Sequence, residues 1–229
     1  MIIMNVNKKR FRKYRSAAVA AAAAVSLSIS GCGDKKQVQN VQSYRQEGLN
    51  RLDQGDYEGA ILAFNQALNE RVGVVSNLEI DINLYKAYAQ AEAGKTRDAV
   101  DTYTALVEYD DKNADAYYLR GCAYMSMKET DLAAEDFKQA VKYNKDSGEL
   151  YASIYEQLTL AGMLDEAAGY LEQGLKIKGD SAAACISRGR LYLASGGYAS
   201  AEEELKKALA EIEEDGKKNK KNEKNDSMA

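Results

Sequence analysis

Side chains that commonly do chemistry are scarce in this sequence. It has no histidine, which removes the commonest general base and metal ligand. Gly94-Lys95-Thr96 matches the end of a phosphate-binding loop, but that loop needs a glycine five residues before Gly94, and position 89 is alanine. Acidic pairs such as Glu213 and Glu214 are typical of solvated helix faces. We therefore expect a non-enzyme with no catalytic residue, no cofactor and no metal.

The N-terminus has the composition of a secretion signal. Six basic residues and no acid lie among residues 8–15, and an apolar run follows over residues 16–29. Its length suits the apolar region of a secretory signal and is short of the roughly 20 residues of a membrane-spanning helix.

The end of this run, Ile29-Ser30-Gly31-Cys32, resembles a bacterial lipobox. The resemblance implies that acyl chains are attached through the Cys32 sulfur and that residues 1–31 are removed as a lipoprotein signal peptide. The protein would then be lipid-anchored at the extracytoplasmic face of a bacterial membrane. Two alternatives stay open, which are ordinary signal cleavage after Ser30 and an uncleaved anchor.

Loss of the leader makes the remaining chain strongly acidic. The whole chain has 31 basic and 35 acidic residues, and the leader removes six of the basic ones, leaving 25 against 35. Nucleic-acid-binding proteins need a basic stripe that displaces counterions, so we expect no nucleic-acid partner. Anionic lipid would also repel such a surface, so membrane attachment would depend on the acyl chains.

Two polar segments flank the rest of the chain. Residues 32–40 have no hydrophobic periodicity, which predicts a flexible tether. Residues 216–229 are rich in lysine and asparagine and poor in apolar residues, which predicts a disordered tail.

Between these segments, residues 114–147 form a 34-residue unit with a regular arrangement of large and small side chains. Small residues stand at positions 8, 20 and 27 of the unit and large ones at positions 4, 11 and 24; they are Gly121, Ala133 and Ala140, and Tyr117, Tyr124 and Phe137. Helices approach to roughly 8–10 Å where the side chains at their crossing are small. The spacing therefore predicts two antiparallel helices that cross at Gly121 and Ala133.

This arrangement resembles the tetratricopeptide repeat. The same frame fits four further units, so that the predicted repeats are 41–74, 80–113, 114–147, 148–181 and 182–215. The resemblance implies an all-α solenoid of about five helix-turn-helix repeats in a right-handed superhelix. Because a repeat cannot bury its apolar face alone, we expect the five to form one domain over residues 41–215.

The frame is interrupted at residues 75–79. Valine and isoleucine are frequent nearby and would suit a strand, but Ser76-Asn77-Leu78-Glu79 has the pattern of a capping box. We therefore predict a helix over about residues 77–93.

Cys122 and Cys185 fall in the third and fifth repeats. Two repeat widths exceed the roughly 7 Å that a disulfide tolerates between Cα atoms. The repeat frame therefore favours two reduced thiols.

A binding surface is implied by the same resemblance. In tetratricopeptide superhelices the first helix of each repeat lines a concave groove, and the corresponding residues here include Arg45, Leu84, Tyr88, Tyr118, Cys122, Met125, Ile186 and Arg190. Acidic residues outnumber basic ones among the groove positions, which favours a neutral to basic protein or peptide partner with apolar anchors. The convex face or residues 72–79 are the alternative location of binding.

Two classes of function fit these features. The first is a lipid-anchored extracytoplasmic scaffold that mediates protein–protein interactions at the bacterial cell envelope. The second is a peptide- or substrate-capturing subunit of an export or degradative envelope machine.

Overall fold

The computed structural model describes residues 32–70, 76–179 and 181–226. Over these residues the chain forms ten helices and no strand, so the predicted all-α class is confirmed. The helices are α1 (Cys32–Gln54), α2 (Tyr57–Asn69), α3 (Asn77–Glu92), α4 (Thr96–Tyr109), α5 (Ala114–Ser126), α6 (Thr130–Tyr143), α7 (Gly148–Leu160), α8 (Leu164–Leu175), α9 (Ala182–Ala194) and α10 (Tyr198–Asp226). The predicted signal peptide, residues 1–31, lies outside the described residues.

Consecutive helices pair as five hairpins, and the second helix of each hairpin begins at position 17 of its predicted repeat. The connecting turns need a residue in the left-handed region. Glycine supplies it in four of them, Gly55, Gly94, Gly162 and Gly196, with φ values of 78, 81, 78 and 82°. In the third repeat Lys128 adopts φ 63° instead.

Small residues stand where the two helices of a hairpin cross. Gly121 lies against the ring of Phe137, and a Cβ at this position would be 2.7 Å from that ring and 3.3 Å from the carbonyl oxygen of Ala133. Ala133 itself is fully buried. The predicted crossing at Gly121 and Ala133 is therefore present. Gly48 and Phe64 repeat the contact in the first hairpin, and Gly189 and Leu205 repeat it in the fifth.

The hairpins group into two compact units, one ending at Tyr143 and the other beginning at Asn144. In the N-terminal unit, α2 packs on α3 and α4 packs on α5, which links three hairpins. In the C-terminal unit, α9 packs on both α7 and α8. The first unit contains three of the predicted repeats and the second contains two, and a single five-repeat domain stays a prediction.

The predicted capping box opens α3. The backbone N–H of Ser76 donates to the Glu79 carboxylate over 2.6 Å, and the Ser76 side chain accepts from the Glu79 backbone. The helix runs from Asn77 to Glu92, in agreement with the predicted helix over about residues 77–93.

Residues 32–40, which we predicted to be a tether, form the first turns of α1. Two side chains fix this part of the helix to the end of α2. The Gln37 amide donates to the Glu70 carbonyl, and the Asn40 amide donates to the Glu70 carboxylate over 3.0 Å. Hydrogen bonds to a neighbouring helix therefore order a segment whose own sequence lacks hydrophobic periodicity.

The predicted disordered tail also differs from the structure, since α10 continues to Asp226. Lysine and glutamate have high helix propensity, and the chain has no proline to stop the helix. Residues 227–229 lie outside the described part.

Candidate functional site

The predicted groove residues of the N-terminal unit are largely buried. Tyr118 has 0% of its surface exposed, and Tyr88, Cys122 and Met125 have less than a tenth exposed. The ring of Tyr118 packs against Phe137, with 5.9 Å between ring centroids. These four side chains contribute to the interior of the unit, so the prediction that they line an accessible groove is wrong.

Burial also explains the electrostatics of the tyrosines in this interior. Removal from water raises the pKa of Tyr88, and the neighbouring Glu92 raises it further. The pKa of Tyr103 is raised well above its ordinary value by burial and by neighbouring Cys122 and Tyr88. Both hydroxyls therefore stay protonated at neutral pH.

Arg45 connects two helices of the N-terminal unit. Its guanidinium Nε donates to the Asp81 carboxylate over 2.6 Å, and the guanidinium lies 5.6 Å from the centroid of the Tyr85 ring. Burial raises the pKa of Asp81, and Arg45 opposes that rise. Arg45 is itself buried, and only Leu84 among the predicted groove residues of this unit is partly exposed. Arg45 therefore acts mainly in packing α1 against α3.

The residues predicted for the groove in the C-terminal unit, Ile186 and Arg190, are at least partly accessible. Ile186 and Leu193 are 40% and 46% exposed, although both are large aliphatic residues. Arg190 lies between them in sequence, and the i, i+4, i+7 spacing puts all three on one side of α9. Across from them, the Glu156 carboxylate of α7 accepts a 2.6 Å hydrogen bond from Arg190. We call Glu156, Ile186, Arg190 and Leu193 the α7–α9 face.

Charge on the α7–α9 face is balanced by this ion pair. The Arg190 and Glu156 side chains are 31% and 27% exposed, so water reaches both. An ion pair this accessible contributes little to stability. It does leave the centre of the face polar but close to neutral, with aliphatic side chains on either side.

The orientation of α9 is fixed from its opposite side by Arg188, which the sequence reading missed. Its guanidinium contacts Glu204 of α10 at 2.6 Å and donates to the carbonyl oxygens of Ile177 and Gly179 over 3.1 and 2.8 Å. Arg120 and Asp136 form the equivalent pair in the third repeat at 2.8 Å. The recurrence of an arginine and an acid sixteen residues apart was the signal in the sequence.

Both predicted thiols are buried cysteines rather than half-cystines. The Cys185 sulfur lies 3.5 Å from a guanidinium nitrogen of Arg188. In the residues that the structure describes, no group of three or more potential ligands could hold a metal ion. None of the described helices combines the length and the apolar character that crossing a membrane requires.

Stacked helical hairpins with glycine at the turns and at the crossings define an all-α repeat solenoid. Three tetratricopeptide repeat family models match the sequence, over residues 81–112, 114–147 and 158–217, and together they cover more than half of the chain. The chain belongs to the tetratricopeptide repeat family. Repeats of this family form surfaces that bind other proteins, and that general role applies to this chain.

Solved structures of repeat proteins resemble this fold. TTC0263, a thermophilic tetratricopeptide repeat protein of Thermus thermophilus, aligns with a TM-score of 0.52 and 21% identity over 75% of this chain and 91% of that one. MamA aligns with a TM-score of 0.46 and 25% identity over 74% and 96% of the two chains. MamA from Desulfovibrio magneticus RS-1 gives 0.49 and 14% over 76% and 96%. No curated protein matches the sequence.

Proposed function

We propose that this protein is a lipid-anchored scaffold of the bacterial cell envelope that binds a protein partner through the α7–α9 face. The observation that carries the proposal is the exposure of Ile186 and Leu193 on one side of α9, around the Arg190–Glu156 ion pair. Ile186 and Leu193 share one side of α9, and a few such anchors can supply most of the affinity of a binding site.

The charge of the face favours a neutral to basic partner segment with apolar anchors. Arg190 is already paired with Glu156, so an acidic partner would have to break that pair to find a cation. The chain without its leader also carries ten more acidic than basic residues, and like charges across an interface cost several kcal/mol. Apolar side chains with neutral or basic neighbours meet neither penalty.

Support for the lipid anchor comes from the sequence at Ile29-Ser30-Gly31-Cys32. Two acyl chains hold a protein at a membrane where one chain binds only reversibly. The test is mass spectrometry of protein extracted from membranes, for which we expect an N-terminal peptide that begins at Cys32 and carries lipid. An unmodified peptide that begins at Gly31 would contradict the anchor, and Cys32→Ser is expected to release the protein from the membrane fraction.

The binding role is tested by affinity purification from solubilised membranes. We expect the wild-type chain to retain a stoichiometric protein partner, and the variant Ile186→Ser with Leu193→Ser to lose it. Leu62→Ser is the matched control, because Leu62 is 64% exposed in the N-terminal unit and belongs to neither helix of the face. Equal recovery from all three proteins would place binding elsewhere. Recovery of heterogeneous peptides instead of one partner would favour a capturing subunit of an export or degradative machine.

A further inference from the structure

A second apolar surface lies at one end of the C-terminal unit. Leu160 ends α7 and Leu164 begins α8, and they are 46% and 63% exposed. Tyr198 begins α10 and is 72% exposed. We call these three residues the turn edge, because each is next to a turn between the two helices of a hairpin.

The contacts within the unit put both turns at the same end. The Tyr155 hydroxyl in the second half of α7 donates to the carbonyl oxygen of Ala194, the last residue of α9, over 3.4 Å. The Arg190–Glu156 pair joins the same two helices, with Arg190 one turn before Ala194 on α9 and Glu156 next to Tyr155 on α7. Since the two helices are in register, the turn that follows α7 lies beside the turn that follows α9.

The N-terminal unit does not repeat this surface. Thr96 and Thr130 begin the second helices of their hairpins, at the places that Leu164 and Tyr198 occupy, and Ser126 stands where the fourth repeat has Leu160. Tyr57, the aromatic residue at the same place in the first repeat, is partly buried rather than largely exposed. The repeat fold therefore does not require large apolar side chains at the turn edge.

Along the chain, the charges next to the turn edge have one sign. Asp165 and Glu166 follow Leu164 and are exposed, and residues 159–166 and 193–201 contain no lysine or arginine. We propose that the turn edge is a second protein-docking surface, next to the C-terminal end of the α7–α9 face, and that it takes a partner segment with apolar side chains flanked by lysine or arginine. A partner's basic residues would meet Asp165 and Glu166 while its apolar residues cover the exposed ones.

A second copy of the chain and a membrane surface fit the negative charge at the turn edge less well than a basic partner segment does. Two copies of the chain that met edge to edge would bring Asp165 and Glu166 of each copy together, because a twofold interface pairs the same patch with itself. An anionic membrane surface would repel the same carboxylates.

The test uses the full-length chain with Cys32→Ser, so that no lipid is needed that could bind the probe, and a fluorescent synthetic helix of leucine and lysine. Its control is a helix of leucine and glutamate of equal length. The test variant is Leu164→Thr with Tyr198→Thr, which introduces the residue that the second and third repeats carry at these places. Leu62→Thr removes an equally exposed leucine from the N-terminal unit. Circular dichroism and urea midpoints check that all variants fold.

By fluorescence anisotropy we expect the leucine–lysine helix to bind the wild type and the Leu62→Thr variant with equal affinity, and the double variant at least tenfold more weakly. The Ile186→Ser variant should keep the affinity, because Ile186 lies about two turns before the end of α9 and away from the turn edge. No binding to the wild type, equal binding to the double variant, or equal binding of the glutamate helix would overturn the proposal. The proposal would also be overturned if the wild type formed dimers in sedimentation, or bound to added phosphatidylcholine vesicles, and the double variant lost that behaviour.

Discussion

The guanidinium of Arg188 contacts the carboxylate of Glu204 at 2.6 Å, sixteen residues further along the chain. Arg120 and Asp136 make the same contact at 2.8 Å in another repeat. In each case the arginine belongs to the first helix of a hairpin and the acid to the second. These pairs therefore help to close the third and fifth hairpins, in addition to the glycine crossings.

Replacing Arg188 should destabilise the C-terminal unit. The two partners are only 11% and 12% exposed, so Arg188→Met would leave the Glu204 carboxylate poorly solvated and would remove the hydrogen bonds to Ile177 and Gly179. Loss of one partner of a buried ion pair costs about 3 kcal/mol or more. We expect a fall of that size in the free energy of unfolding measured in urea.

The control for this variant is Lys176→Met. Lys176 and Glu172 are both 70% exposed, and water and salt screen such pairs, so the cost should stay below about 1 kcal/mol. Equal losses in the two variants would show that burial does not set the contribution of Arg188.

The two equivalent pairs should respond to pH in opposite directions. Burial raises the pKa of Glu204, but hydrogen bonds from Arg188 and Lys207 outweigh burial, and the pKa lies below its ordinary value. Burial raises the pKa of Asp136, and hydrogen bonding to Arg120 does not fully offset that rise. The stability that Glu204 contributes is therefore present above its unfolded-state pKa of about 4.3 and is lost as the pH falls through the lower folded value. The contribution of Asp136 is complete below its unfolded-state pKa of about 3.9 and is lost as the pH rises through the higher folded value.

Urea unfolding between pH 3 and pH 6 measures this difference. The free energy of unfolding of the wild type minus that of Glu204→Gln should be larger at pH 6 than at pH 3. The corresponding difference for Asp136→Asn should be smaller at pH 6. The same direction of change for both pairs would contradict the assigned pKa shifts.

A larger side chain at the helix crossing should be costly. Ala133 is fully buried beside Gly121, whereas Ala134 is partly exposed on the same helix. Overpacking of a close contact forces backbone shifts, so Ala133→Leu should be less stable than Ala134→Leu by about 1–3 kcal/mol. If the two variants share a urea midpoint, the crossing has been placed at the wrong residue.

The sequence predicted the hairpins well because their determinants are local. Glycine at a left-handed turn and small residues such as Gly121 at a crossing are needed in each hairpin, whatever packs around it. The accessible surface depends instead on which hairpins stack. Tyr118 and Ile186 share position 5 of their repeats, yet the structure buries the first and exposes the second.

The ion pairs and the turn edge could be predicted from the sequence only by comparing the repeats with one another. Glu156 and Arg190 occupy position 9 of successive repeats, and Leu164 and Tyr198 occupy position 17. Alignment of the repeats with one another could have indicated both. It would not have shown that Glu156 and Arg190 are close enough to pair, because the register of α7 on α9 depends on tertiary packing.

Gln157 gives a final prediction, in which a substitution should stabilise the protein. This residue of α7 is 2% exposed, and neither its amide nitrogen nor its amide oxygen has a hydrogen-bond partner among the described residues. A buried polar group without a partner costs about 1–3 kcal/mol, and methionine has a similar length and flexibility without that cost. We expect Gln157→Met to raise the free energy of unfolding by about 1 kcal/mol in urea. Gln173→Met on the exposed side of α8 is the matched control and should change it by less than about 0.5 kcal/mol. A loss of stability in Gln157→Met that the control does not share would mean that the amide is hydrogen-bonded in solution.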